Sequence, residues 1–175
     1  ISAITGITAA NKVYDSTQVA TLTTTGASFT GMAIGDTLTV TGATGLFDTK
    51  DVGTGKTVNI SGLVLAGADS ANYTLTNSTA TTTANITPAS ISAITGISAA
   101  NKVYDGTTTA TLTTSGAAFT GRLGSDVLTV ATAVGNFSDK NVANPKTVNV
   151  TGLSLGGADA GNYTLATTTA TTAAA

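Results

Sequence analysis

Six aspartates stand at matched places along this chain. Asp15, Asp36 and Asp69 return 90 residues later as Asp105, Asp126 and Asp159. Recurring carboxylates can hold Ca²⁺, work in pairs on a glycosidic bond, or assist a lysine–asparagine cross-link. Ca²⁺ takes about six to eight oxygens, usually from carboxylates close together in sequence. Here the aspartates are widely spaced and no Asp-x-Asp-x-Asp-Gly loop exists. Asp69 and Asp159, each followed three residues later by Asn72 or Asn162, are the best positions for such an ion near a module junction. Turn-making and capping is the plainer role for all six. Glycoside hydrolysis would use paired carboxylates, but no cleft signal accompanies them, and each small module would have to carry the chemistry again. For cross-linking, Lys12, Lys50 and Lys56 recur as Lys102, Lys140 and Lys146, yet the usual assisting glutamate is missing because the chain has no Glu. Solvated surface lysines are the expectation. Cysteine and histidine are both absent, which removes disulfides, thiolate nucleophiles, zinc sites and Ser-His or Cys-His catalysis. No enzymatic activity is expected.

The elements that position these residues are also written twice. At the 90-residue shift about 53 of 85 paired positions are identical and no gap is needed. A period this long is domain-sized, whereas solenoids and propellers repeat every 20–50 residues or so. Two modules are predicted, residues 1–88 and 89–175, with the boundary at Thr87-Pro88-Ala89-Ser90. Pro88 fixes φ and lacks an N–H, so a short, stiff, extended connection is expected.

Charged residues make up 9% of the chain, far below the roughly 25% of ordinary domains. The net charge of −2 offers no basic surface, so no nucleic acid partner is expected. Polarity comes instead from 40 threonines, β-branched residues that favour strands and show a hydroxyl to water. Alternation is clear in Thr37–Thr41, Thr57–Ser61 and Tyr73–Thr76, and their counterparts lie in 128–130, 147–150 and 163–165. Ala20–Thr23 and Ala110–Thr113 add a strand to each module, and Gly with Asp or Asn fills the gaps. The expected fold is all-β, two tandem Ig-like β-sandwiches; a β-grasp-like α+β module with one short helix is the alternative. The eight aromatics, Tyr14, Phe29, Phe47 and Tyr73 with Tyr104, Phe119, Phe137 and Tyr163, are expected in the cores. The chain shows neither a signal peptide nor an apolar run of about 18 residues, so no membrane insertion is expected of it.

The sharpest local motif is Lys12-Val13-Tyr14-Asp15-Ser16-Thr17, matched by Lys102-Val103-Tyr104-Asp105-Gly106-Thr107. A strand enters, Tyr turns inward, and the Asp carboxylate accepts the backbone N–H two residues on. Since Ser16 stands where the second copy has Gly106, the position is expected not to require φ > 0. Asn-Lys-x-Tyr-Asp-Gly-Thr-x-x-Ala-x-Leu, the later Gly-Ala-Asp-x-x-Asn-Tyr-Thr-Leu and the Ile-Thr-Pro-Ala exit segment resemble the YDG repeat domain of very large secreted bacterial proteins, many of them filamentous-haemagglutinin-like adhesins. Glycine-rich MBG repeats keep similar company. The resemblance spans both modules and implies β-rich repeats on the bacterial cell surface, without known chemistry. The expected role is a stalk or spacer that touches neighbouring repeats and carries a distal domain towards host or matrix glycan or protein. The rival is a repeat that itself binds glycan, matrix protein or like repeats.

Overall fold

Alternation of threonine or asparagine with valine or isoleucine builds the long strands. In Gly53–Ser61 the side chains of Val58 and Ile60 are buried while Thr57, Asn59 and Ser61 face water, the period of two that a strand imposes. Lys146–Gly156 repeats the pattern with Val148 and Val150 inward. The computed structural model describes residues 1–175, which divide into two units, Ile1–Thr87 and Pro88–Ala175. Both are all-β. The only helical turns are 3₁₀ turns at Ser70–Asn72 and Ala160–Asn162, so the α+β alternative, which needs a helix, does not describe this chain.

In the first unit a five-stranded sheet runs in the order 12–13, 80–87, 53–61, 44–47, 19–20. All its pairings are antiparallel except one: Lys12–Val13 lies parallel to Ile86–Thr87. A bent hairpin, 3–5 with 28–30 and 8–9 with 22–23, packs against strand 80–87. Tyr14, Phe47, Val58, Ile60 and Ile86 are almost fully buried, each contributing about 1.5–3 kcal/mol on removal from water.

The second unit repeats the plan with a four-stranded sheet in the order 109–110, 129–137, 146–156, 170–174. Ala110, Phe137, Val148 and Ala174 form a core cluster, with Ala99 and Leu112 against it. Ala89–Ile91 adds a short parallel ladder to Tyr163–Leu165, burying Ala89, Ile91 and Tyr163.

One difference between the copies follows from a strand partner. Tyr73–Thr76, expected as a strand, is not one; beyond the Tyr73 N–H that closes the preceding turn on the Ser70 carbonyl, its backbone meets Ile1, through Thr76 N–H to the Ile1 carbonyl at 3.1 Å and the Ile1 ammonium to the Thr74 carbonyl at 2.7 Å. Its counterpart Tyr163–Leu165 is a strand because Ala89–Ile91 runs beside it. The core assignment of the aromatics also needs correction. Tyr14, Phe47, Phe137 and Tyr163 are buried, Phe29, Tyr73 and Phe119 are half-buried, and Tyr104 is 59% exposed.

Candidate functional site

The Lys-Val-Tyr-Asp turn gathers the densest polar network in each module. The Asp15 carboxylate accepts the Thr17 N–H and the Thr17 hydroxyl, both at 2.9 Å. Asp105 does the same with Thr107 at the same distances. Folding the chain back this way aims its carbonyls at the lysine three residues earlier. Lys12 Nζ donates to Asp15 Oδ1 (2.7 Å), the Thr17 carbonyl (2.8 Å) and the Val19 carbonyl (3.0 Å), and lies 5.5 Å from the Phe47 ring centre. Lys102 meets Asp105 (2.8 Å), the Thr107 hydroxyl (2.7 Å) and the Thr109 carbonyl (2.9 Å). These are positioned cations rather than solvated surface lysines; a charge enclosed by a carboxylate and carbonyls makes stronger hydrogen bonds than a neutral donor would.

Ser16 takes a left-handed backbone, φ +62°, beside +78° for Gly106. The turn therefore does require positive φ, and Ser tolerates it because the Asp15 bonds and the lysine hold the loop closed. A non-glycine residue there costs about 1–2 kcal/mol, part of which glycine returns as unfolded-state entropy. Ser16→Gly should raise the stability of the first module by about 0.5–1 kcal/mol, read as a higher urea midpoint; an unchanged or lower midpoint would count against strain at this residue.

The carboxylates of these turns are held ionised. The Lys102 ammonium, with the Thr107 N–H, keeps the Asp105 carboxyl at about 2, against an ordinary 3.8. At Asp15 burial pushes upward, but the Lys12 and Thr17 donors together leave it below the ordinary value. A depressed folded value stabilises the fold above the unfolded value and loses that contribution as pH falls through the folded one. For Asp105 the window runs from near 3.8 down to about 2. The thermal midpoint should fall across this window, and Asp105→Asn should start lower and fall less steeply. A variant with the parent's full pH dependence would refute the linkage.

The two tyrosines of the motif sit differently. Tyr14 is 2% exposed, its N–H donates to the Thr87 carbonyl at 2.8 Å, and its hydroxyl accepts from Lys50 Nζ at 2.8 Å. Tyr104 is turned out beside a small open hollow of about 60 Å³, lined by Lys102, Phe137, Lys140, Val142 and Lys146. Lys140 is the counterpart of Lys50.

A second polar cluster ties the Gly-Ala-Asp-x-x-Asn-Tyr motif to the loop before it. Tyr73 donates its hydroxyl to Asp36 Oδ2 (2.6 Å) and accepts the Ala33 N–H (2.9 Å); Tyr163 does the same with Asp126 (2.7 Å) and Leu123 (3.0 Å). The Asp36 carboxylate, taking that proton's hydrogen bond, holds the Tyr73 phenol above its ordinary value. Asp69 and Asp159, the calcium candidates, accept the N–H of Thr37 and of Val127, each at 2.8 Å. They serve as backbone acceptors, and nowhere do three acidic, histidine or cysteine side chains gather to hold a metal ion.

A third pair shows compensation that spacing alone does not reveal. Lys56 pairs with Asp48 at 2.8 Å; the second copy has Ser138 at the position of Asp48, and Lys146, 8% exposed, pairs instead with Asp139 one residue further on. The carboxylate has moved along the hairpin end while the lysine keeps an anionic partner, because a buried ammonium left alone is costly.

All three clusters hold backbone in place, and their polar atoms point at the module's own chain. Such a fold and such sites define a class: tandem all-β repeat modules braced by internal lysine–carboxylate and tyrosine–carboxylate contacts. The chain belongs to the YDG domain family, whose model matches residues 2–84 and again residues 87–171. Comparison with curated proteins and with solved structures finds no match.

Proposed function

We propose that the two modules are spacer repeats of a secreted or surface-anchored bacterial adhesin, each an Ig-like sandwich, extending a distal binding domain from the cell. One observation carries this reading: hydrogen-bonded structure reaches to within one residue of the boundary on both sides. Thr87 is held in the first module by the Tyr14 N–H, and Ala89 is already paired with Tyr163 in the second. Only Pro88, with its fixed φ, lies between. A connection this short leaves few bonds to rotate, so each added module contributes reach; about 35–45 Å per module follows if the strands run along the array. The YDG resemblance and the threonine-covered strands support an extracellular, non-enzymatic role. No helix is long and apolar enough to cross a membrane.

The rival reading, a repeat that binds glycan, matrix protein or like repeats, has one observation in its favour, the exposed ring of Tyr104 next to the exposed Val103. Avidity along an array needs the same face in every module, and the matching ring of Tyr14 is buried. The spacer reading is therefore preferred. Small-angle X-ray scattering of the two-module chain tests it. The expected result is a maximum dimension close to twice that of one module, unchanged when a chelator replaces calcium. A compact particle in both conditions would overturn the spacer; shortening or loosening in chelator would restore calcium as the stiffening agent.

A further inference from the structure

The five-stranded sheet of the first module ends on one side in Lys12–Val13, a two-residue edge that carries a lysine. The other side is built differently, and the second module repeats it. The ladder of 19–20 on 44–47 stops where Ala20 faces Gly45, and that of 109–110 on 129–137 stops where Ala110 faces Gly135. Past that point the covering strand turns away, Leu22–Thr23 to pair with Thr8–Ala9 and Leu112–Thr113 to pair with Ser98–Ala99. The cause is a leucine packed on a glycine. A Cβ on Gly45 would lie 2.7 Å from Leu22 Cδ2, and one on Gly135 would lie 2.7 Å from Leu112 Cδ2. Seating each leucine there draws its strand off the edge. Residues 39–44 and 129–134 are left with a strand on one side only. An open hollow of about 400 Å³ lies beside the first edge and one of about 410 Å³ beside the second, and no charged side chain lines either.

A free edge is ordinarily blunted by charge or proline, because its unpaired N–H and C=O groups take up any extended chain. Neither device is present here: residues 37–47 and 127–137 hold no charged residue and no proline. Val134, on the second edge, is 55% exposed. Register shifts between Val130 and Val134 keep the free run short, so a single contact is weak. We infer that the free edge 129–134, with 39–44 in the first module, pairs with the same edge of a second copy of this chain, antiparallel and about a two-fold axis. Charge selects this occupant. A two-fold contact sets a patch against itself, so a charge on the edge would meet its like and weaken the pair. An edge without charge tolerates its own copy, whereas an acidic or basic peptide would find no counter-charge on it. Strand addition supplies main-chain hydrogen bonds, and Val134 is covered. This inference goes beyond the spacer role and rests on a different observation from the ring of Tyr104; chains paired side by side still extend.

Sedimentation equilibrium of the two-module chain is the test. The parent should form a dimer whose share grows from micromolar to millimolar concentration and holds when salt is raised, since no charge takes part. Thr44→Lys combined with Val134→Lys should weaken that dimer at least about tenfold, by bringing like charges together across the axis. Both residues are exposed, so the modules should stay folded. Thr57→Lys combined with Thr147→Lys adds the same charge on the water-facing side of Gly53–Ser61 and Lys146–Gly156, away from the edge, and should leave the dimer as it was. In the parent itself, amide hydrogen exchange within 129–134 should slow as concentration rises, a readout that needs no variant. A parent that stays monomeric throughout, or exchange in 129–134 that ignores concentration, would overturn the inference. A dimer that survives the edge lysines, or one that the lysines at 57 and 147 dissolve equally, would place the contact elsewhere and overturn it too.

Discussion

Tyr14→Ala should destabilise the first module by about 3–5 kcal/mol, the cost of emptying a large aromatic site in a core. At the sequence-identical position Tyr104→Ala should move the second module by less than about 1 kcal/mol, as for an exposed residue. Tyr14 is 2% exposed and Tyr104 59%. Removing the Tyr14 ring deletes its packing and takes the hydroxyl from Lys50 Nζ, while the backbone N–H to Thr87 remains. Removing the Tyr104 ring clears one wall of an open hollow. Urea titrations read by hydrogen exchange, which assigns stability to each module separately, give both numbers from one chain. Equal losses in the two modules would show that the exposed ring carries stability after all, and the structural asymmetry would have to be abandoned.

Gly96→Ala should cost the second module about 2–5 kcal/mol, summing about 1–2 for a left-handed non-glycine residue and about 1–3 for overpacking. Gly6→Ala should do the same in the first. Gly96 has φ +72°, and a Cβ there would lie 2.3 Å from the Gly116 carbonyl oxygen; at Gly6 the values are +75° and 2.3 Å to Gly26. The obstacle is backbone, which cannot swing aside as a side-chain end can, so the hairpin must open where it bends between its two ladders. For a domain of this size the thermal midpoint should drop by more than about 10 °C. Gly106→Ala supplies the contrast: φ is +78° but nothing lies within 4 Å of the added Cβ, so only the backbone term, about 1–2 kcal/mol, remains. Should both substitutions cost the same, the close approach at Gly116 would carry no weight.

Much of the site could be read from residue order because its contacts are short-range. The Asp15 carboxylate reaches Thr17 two residues on and Lys12 three residues back, and spacings this small put the groups within reach whatever the rest of the chain does. The same holds for strand alternation: Thr57 to Ser61 must place Val58 and Ile60 on one face. Other contacts gave no such signal. Tyr73 meets Asp36 across 37 residues, and Tyr14 meets Lys50 across 36. Their spacing carries no geometry until the sheet is folded. The backbone at Ser16 departs from the sequence expectation for a related reason. A serine argues for ordinary φ, but the Asp15 and Lys12 bonds around it outweigh the local preference.

From order and composition alone this chain is two all-β modules of one design, joined within Thr87-Pro88-Ala89-Ser90 and without the side chains for thiol, imidazole or zinc chemistry. Those properties rest on side-chain chemistry and on period two, both local. Tertiary structure alone decided which of two identical motifs is closed. Tyr14 is seated because Ile86 and Thr87 lie beside Lys12 and Val13, and Tyr163 is covered because Ala89–Ile91 runs along it. A strand's neighbour is chosen by the whole sheet, and the burial of a ring depends on that neighbour as much as on the ring.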